Sequence, residues 1–260
     1  MKYIIAAAIG LSISGAANAQ SSAPAQAPAG SQSFWSGWSG EGNLGAGITT
    51  GNTDTVDVSV GLKLAKEFGP WKVAANGGYD FGQVDGVDNR NRWYVGSDVK
   101  RDFTDRLYGF GSVSYEEDEF SGFDSRLFIG TGAGYHISKD KPLLWSVEAA
   151  PGYRRSVVAD ETDGLIPPTV IAEGFTANDF AIQGSSQFAY HFNDNVNFTN
   201  DTTVTWTDTS TQTINIAALN AKLTEALSAR VSFEVRNDTS PPDGFVNTDT
   251  ATRVSVVYGF

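Results

Sequence analysis

The sequence predicts an all-β chain, specifically a transmembrane, antiparallel, up-and-down β-barrel of about twelve strands. Three observations predict it. First, twelve runs alternate apolar residues with polar or small ones, the period-2 pattern of a strand with two unlike faces. Second, most runs reach about ten residues, long for a soluble strand and matched to a tilted bilayer crossing. Third, the connections alternate in length, as they do where an outer-membrane barrel keeps short turns at its periplasmic end and longer loops outside.

The chain opens with Met1-Lys2-Tyr3, an apolar run over 4–17 and Ala17-Asn18-Ala19. A basic start, a short apolar core and a small-x-small exit describe a secretory signal peptide over 1–19. Residues 20–33, rich in Ala, Pro, Gln and Ser, read as a flexible periplasmic leader. The barrel domain then covers 34–260. No later apolar run approaches the ~18 residues of a transmembrane helix, so any crossing must be made by a closed barrel.

The alternating runs lie at 38–50, 55–67, 71–82, 91–101, 107–115, 125–137, 143–153, 179–192, 196–206, 213–223, 227–237 and 250–260. The second is the cleanest: Val56, Val58, Val60, Leu62 and Leu64 face one way, and Asp57, Ser59, Gly61 and Lys63 the other. Its turn to the first run, Gly51-Asn52-Thr53-Asp54, has residues suited to chain reversal. Runs 107–115 and 213–223 are ambiguous, with apolar residues in both phases. Even-numbered connections are short, at 68–70, 102–106, 138–142, 193–195 and 224–226. Odd ones are longer and polar, at 83–90, 116–124, 154–178, 207–212 and 238–249, and only the first, 51–54, breaks the pattern. Trp38, Trp71, Trp145, Tyr190, Phe198 and Phe260 fall near the short-turn end. Tyr79, Phe81, Trp93, Tyr115, Tyr153 and Trp206 fall near the long-loop end. Two such groups are the aromatic belts of a barrel.

Composition narrows function. Cysteine is absent, which excludes disulfides, thiol catalysis and Cys-ligated metals. A formal net charge of −12 argues against nucleic acid as a partner. No cofactor is expected.

The last strand, Val254-Ser255-Val256-Val257-Tyr258-Gly259-Phe260, resembles the C-terminal assembly signal of bacterial outer-membrane barrels. That resemblance implies recognition of Phe260 by the barrel-assembly machinery. Other stretches carry a second resemblance: Gly45, Gly47, Thr49 and the 51–54 turn; the segment 110–123 with its Tyr115-Glu116-Glu117-Asp118-Glu119-Phe120; Arg126; Gly130-x-Gly132-x-Gly134-Tyr135; and Pro151-Gly152-Tyr153-Arg154. Together they are similar to the salt-induced outer membrane proteins (YdiY-like), a domain family of unknown function. The resemblance implies a Gram-negative outer-membrane barrel with a link to salt or osmotic stress, and it brings no catalytic residues.

Three constellations carry candidate chemistry. His136-Ile137-Ser138 resembles the His-x-Ser pair of outer-membrane phospholipases, but Glu148 stands where their spacing places Asn. No third group or oxyanion site supports a nucleophilic serine, so no enzyme is expected, and His136 reads as a lumen-lining residue. His191 is isolated, so no metal cluster is expected. The polar phase brings inward Asp57, Lys63, Asp80, Arg92, Asp98, Lys100, Arg126, Glu148, Arg154, Arg230, Glu234, Arg236 and Arg253. Arg92, Arg126 and Glu148 are lumen candidates; Arg230, Arg236 and Arg253 with Glu234 form a candidate anion-selective constriction. The bland reading of the same set is ion pairs that only brace the wall. Finally, Glu116, Glu117, Asp118 and Glu119, with Asp160, Glu161 and Asp163, are candidate ligands for divalent cations between lipopolysaccharides, or ordinary solvated surface. The long segment 154–178, with Leu165-Ile166-Pro167-Pro168 and Val170-Ile171-Ala172, is expected to fold into the barrel mouth.

The function expected is passive: a narrow pore for ions or small solutes, porin-like, or a structural barrel tied to salt and envelope stress. The alternatives are a surface barrel that binds lipopolysaccharide, cells or phage through its outer loops, a lipid-modifying enzyme, and a soluble periplasmic barrel.

Overall fold

The structure, a computed structural model, describes residues 37–52, 54–162 and 170–260. The signal peptide and leader lie outside the described residues, as do Thr53, Asp163 and Leu165-Ile166-Pro167-Pro168.

Fourteen strands are described in chain order. They are β1 (Trp38–Thr50), β2 (Thr55–Phe68), β3 (Trp71–Val84), β4 (Val87–Asp102), β5 (Leu107–Asp118), β6 (Phe123–Ser138), β7 (Leu143–Val158), β8 (Glu161–Thr162), β9 (Val170–Ala172), β10 (Thr176–His191), β11 (Val196–Trp206), β12 (Thr211–Lys222), β13 (Leu227–Asp238) and β14 (Thr248–Gly259). All but β8 and β9 close one antiparallel barrel of twelve strands. Each barrel strand pairs with its neighbours along the chain, and β1 pairs with β14. Closure leaves no strand edge, the one sheet arrangement that satisfies its backbone in lipid. The last residue completes the seam: the Phe260 amide donates to the Gly40 carbonyl (3.0 Å), and the Gly40 amide to the Phe260 carbonyl (2.9 Å). A side chain at Gly40 would collide with the Phe260 ring.

The period-2 pattern produces the wall. On β2, Val56 is 69% exposed while Asp57 beside it is 1% exposed. One phase therefore faces outward to the surroundings and the other into the lumen. The outer surface is apolar along most strands, with paired rings at both ends. Trp93 and Tyr115 lie 5.3 Å apart at the loop end, and Tyr190 and Phe192 5.3 Å apart at the turn end. Inside, glycines make room for aromatic rings. Tyr108 lies where a side chain at Gly134 would go, and Phe128 where those of Gly130 and Gly152 would go.

The strands run further outward than the sequence pattern predicts. The segment 83–90 is not a loop: β3 and β4 continue to a two-residue turn at Asp85-Gly86, whose φ values are 52° and 79°. Two positive φ values at an Asp-Gly pair make the type I′ hairpin that a right-twisted ribbon prefers. Likewise β5 runs through Asp118 and β7 through Val158. Two long outer connections remain, 159–175 and 239–247. The first carries the small hairpin of β8 with β9. Its described residues do not fold into the mouth, because Val170, Ile171 and Phe175 are exposed. The second does: a side chain at Gly122, on the β5–β6 connection, would meet Phe245 and Pro242. Those two connections belong to opposite walls. Asn52 ties the same loop to the β1–β2 turn, its Oδ1 accepting from the Val246 amide (2.5 Å) and its Nδ2 donating to Asp249 (3.0 Å).

Candidate functional site

The lumen is filled in its outer half and hollow in its inner half. The outer half is organised by one closed ring of alternating charges. Arg92 reaches Asp80 (3.0 Å) and Glu116 (2.7 Å). Glu116 receives Arg236 (3.1 Å), which also donates to Glu234 (2.5 Å). Glu234 receives Arg253 (3.0 Å), and Arg253 returns to Asp80 (3.5 Å). Asp57 joins through Arg253 (3.0 Å) and Arg90 through Asp80 (3.5 Å). Four guanidiniums thus meet four carboxylates, and the set is neutral as a whole.

The strands explain why these groups meet. Asp57, Asp80, Arg92, Glu116, Glu234, Arg236 and Arg253 all belong to the inward phase, near the outer ends of β2, β3, β4, β5, β13 and β14. The β5 and β13 walls are opposite each other in the barrel order, so the Glu116–Arg236 pair is a strut across the lumen. Two further contacts close the other side: Arg126 to Asp238 (3.7 Å), and Arg154 donating to Gln212 (3.3 Å). Ring members such as Asp57, Asp80, Arg92 and Arg253 are almost fully buried. Buried charges survive only when paired and hydrogen-bonded, and the planar fork of arginine suits it to join two carboxylates at once.

Below the ring, Glu148 gathers three donors: Lys100, the Tyr108 hydroxyl (2.8 Å) and the Ser185 hydroxyl (3.0 Å). On the facing wall Glu41 binds Lys63 (3.5 Å) and Arg230 (3.2 Å), and Arg230 Nε donates to Asn220 (2.6 Å). Beneath these lies a cavity of about 490 Å³, lined among others by Lys72, Asp98, Lys100, Tyr108, His136, Ser146, Gln187 and Asp201. All of these sit in the turn-side half of the barrel, so the molecule is a cup that opens toward its short turns.

The candidates named from the sequence are thereby sorted by height as well as face: Arg92, Glu234, Arg236 and Arg253 meet in the ring, and Arg126 sits beside it. Arg230 does not belong with Arg236 and Arg253. It lies six residues further down β13, about 20 Å away at ~3.4 Å per residue, and serves Glu41 instead. Glu148 is a lumen group, held by Lys100 rather than by a serine nucleophile's base. His136 lines the cavity, its ring 4.7 Å from that of Tyr108, while the Ser138 hydroxyl donates to the Leu143 carbonyl (2.7 Å). The acidic run 116–119 does not form a cation cluster. β5 continues through it, so Glu116 and Asp118 turn inward while Glu117 turns outward to Trp93 (2.8 Å) and Tyr115 (2.6 Å). Glu119 is exposed beyond the strand. Among the described residues no group of His, Asp or Glu is arranged to hold a metal. Sequence reasoning missed Arg90, Glu41 and Tyr108. Arg90 was recoverable, because an Asp85-Gly86 turn places it in phase with Arg92.

A family model described as DUF481, a protein of unknown function, matches residues 42–260. An uncharacterized protein of Escherichia coli (strain K12), YdiY, is 24% identical over 228 residues, covering 84% of this chain and 82% of that protein. Among solved structures, the translocator domain of the autotransporter NalP from Neisseria meningitidis is similar at TM-score 0.54 and 12% identity, over 86% of this chain and 89% of that one. A KdgM porin is similar at TM-score 0.47 and 12% identity, over 84% of this chain and 99% of that one. The likeness to the translocator domain is one of fold, a β-barrel, alone.

Proposed function

The chain belongs to the DUF481 family, and from that premise we propose that it is a passive outer-membrane barrel, a narrow path for ions or small solutes held shut at its outer end. The observation that carries this reading is the closed ring from Asp80 through Arg92, Glu116, Arg236, Glu234 and Arg253, with a hollow beneath it. A twelve-stranded barrel lies between the eight strands that side chains fill and the sixteen or so that leave an open channel. Here the ring closes the outer half, while the groups around Glu148 and Glu41 leave a cavity in the turn-side half. A solute entering from the turn side meets a cavity lined by both polar and apolar side chains and then a neutral barrier of mixed sign. In this reading the chain is exported by a cleaved signal peptide and resides in the outer membrane of a Gram-negative cell, surrounded by lipid and lipopolysaccharide. In the same reading it is assembled through Phe260 and is tied to salt or envelope stress. The reading includes no catalytic role, and what supports that is that the Ser138 hydroxyl donates to the Leu143 carbonyl while the His136 ring lies against Tyr108.

Conductance across a planar bilayer tests the reading. The protein is expected to show small, infrequent steps, and Arg92→Ala or Arg236→Ala, each opening the ring, is expected to enlarge them. A large steady conductance in the unaltered protein would defeat the closed outer end. Silence in all three proteins would reduce the molecule to a structural barrel.

A second reading rests on the outer tips, where Val84, Val87 and Phe175 are exposed beyond the ring. Apolar groups at loop tips suit a barrel that meets lipopolysaccharide, cells or phage. Loss of such binding on changing Val84 and Val87 together to Ser would support it.

A further inference from the structure

The outer wall of the barrel carries one polar break. Along β11 the outward side chains run Phe198, Asn200, Thr202, Val204 and Trp206, as fixed by the inward, buried Thr205. On β12, Ile216 and Ala218 are buried inward, which turns Asn215 outward beside Thr202. Phe198 and Trp206 mark the two aromatic levels, so the amides of Asn200 and Asn215 stand between them, at the depth of the hydrocarbon. Among the described residues they are the only outward side-chain amides at that depth. Outward hydroxyls such as those of Ser97 and Thr131 bond back to backbone carbonyls of their own wall.

The patch is partly satisfied within itself. Asn200 and Asn215 exchange amide hydrogen bonds (3.2 Å each way), Asn215 donates also to Thr202 (2.7 Å), and Thr202 donates to Asn200 (3.4 Å). An amide has two N–H donors and two acceptor sites. That leaves one N–H of Asn200 and one lone pair on Asn215, a donor and an acceptor side by side. Acyl chains can satisfy neither, and an unmet polar group in hydrocarbon is costly. Beside the patch Gly184 on β10 and Ala217 on β12 are small, while Phe188 pairs with Asn200 and the Trp145 indole donates to Ser186, so a second wall comes closest over Thr202 and Asn215.

We propose that this β10–β12 face is where two copies of the chain meet in the membrane. A second copy fits because the leftover pair is self-complementary. Under a two-fold axis, the spare Asn200 donor of each copy faces the spare Asn215 acceptor of the other, as an isologous contact requires. The interface excludes lipid from the polar groups and leaves the apolar faces of the remaining strands in contact with it.

The chain has no cysteine, so single-cysteine variants report contacts cleanly. In native membranes under mild oxidation, Val204→Cys, outward on β11 beside the patch but outside its hydrogen bonds, is expected to give a species of twice the chain mass. Val95→Cys, outward on the opposite wall, is expected to stay single. In bilayer discs light scattering is expected to count two chains, and Asn200→Leu with Asn215→Leu to weaken the association about tenfold. Equal crosslinking by both cysteines, a single chain in bilayer discs, or a Val204→Cys adduct with a different protein would each overturn the proposal. If the double variant fails to fold, the Val204→Cys result on the otherwise native wall still decides. Detergent-gel mobility before and after heating reports the barrel separately, so a monomeric barrel overturns the pairing without touching the pore reading.

Discussion

At the scale of single residues, Arg253 holds more of the lumen together than any other side chain, joining Asp57, Asp80 and Glu234. Removing it leaves three inward carboxylates short of a cation in a space almost closed to water. Breaking a buried pair by deleting one partner costs about 3–5 kcal/mol. Arg253→Ala is therefore expected to lower the urea midpoint of unfolding, with a loss of unfolding free energy in that range. Lys72→Ala supplies the contrast: its partner Glu67 is 69% exposed at the side chain, and exposed pairs contribute about 1 kcal/mol or less. Equal midpoints for the two variants would mean that the ring is wet and weak. Which residues form the ring is only half legible in the sequence. Phase places Arg230, Arg236 and Arg253 on one inner face, but phase says nothing of height, and height separates Arg230 from the other two. The Glu116–Arg236 strut joins residues 120 apart in sequence. No local pattern announces such a contact, because it depends on how the barrel closes.

At the scale of elements, strands are legible where one phase is purely apolar and obscure where both are mixed. β2 needs nothing beyond its alternation. β12 has Ile214 and Ile216 in one phase and Asn215 and Ala217 in the other, so hydrophobicity alone cannot orient it. Its neighbours do. The pairing of Gln212 with Asp238 and of Asn220 with Arg230 ties its inward side to charged positions of β13. Boundaries slip at the outer ends because polar composition reads as loop, whereas a barrel strand stays polar on one face as it leaves the membrane. The glycines of β6 make the element testable. A methyl on Gly132 would overlap the Ala149 carbonyl oxygen of β7, so Gly132→Ala must force the paired backbones of β6 and β7 apart. Overpacking of that kind costs about 1–3 kcal/mol or more. Gly42→Ala meets only the Gly61 carbonyl at 3.9 Å and is expected to stay within about 0.5 kcal/mol of the parent. The measurement is the urea midpoint of each purified barrel, and a Gly132→Ala protein as stable as Gly42→Ala would show that the β6–β7 wall is looser than its geometry.

At the scale of the whole molecule, the twelve-stranded frame supplies a lumen too wide for one layer of side chains and too narrow to need a separate plug domain. The wall therefore closes itself with a ring of long charged side chains at its outer end, while those around Glu148 and Glu41 leave a cavity toward the turns. The consequence is sidedness. The cavity of about 490 Å³ lies on the turn side, while the outer end is closed by the ring and by the 239–247 loop reaching the β5–β6 connection. A thiol placed in the cavity should be reachable from one side of the membrane and not from the other. Ser146 lines that cavity, and the cysteine-free background makes Ser146→Cys the sole target. A membrane-impermeant maleimide is expected to leave Ser146→Cys unlabelled on intact cells and to label it once the periplasmic face is opened. Val87→Cys, at the outer hairpin tip, should label in both conditions and so controls for orientation. Opening the ring with Arg236→Ala in the Ser146→Cys background should then raise labelling from outside, because the strut to Glu116 is gone. Ready labelling of Ser146→Cys on intact cells with the ring in place would instead mean that the charges line a continuous passage, and that the outer end is a filter rather than a stopper.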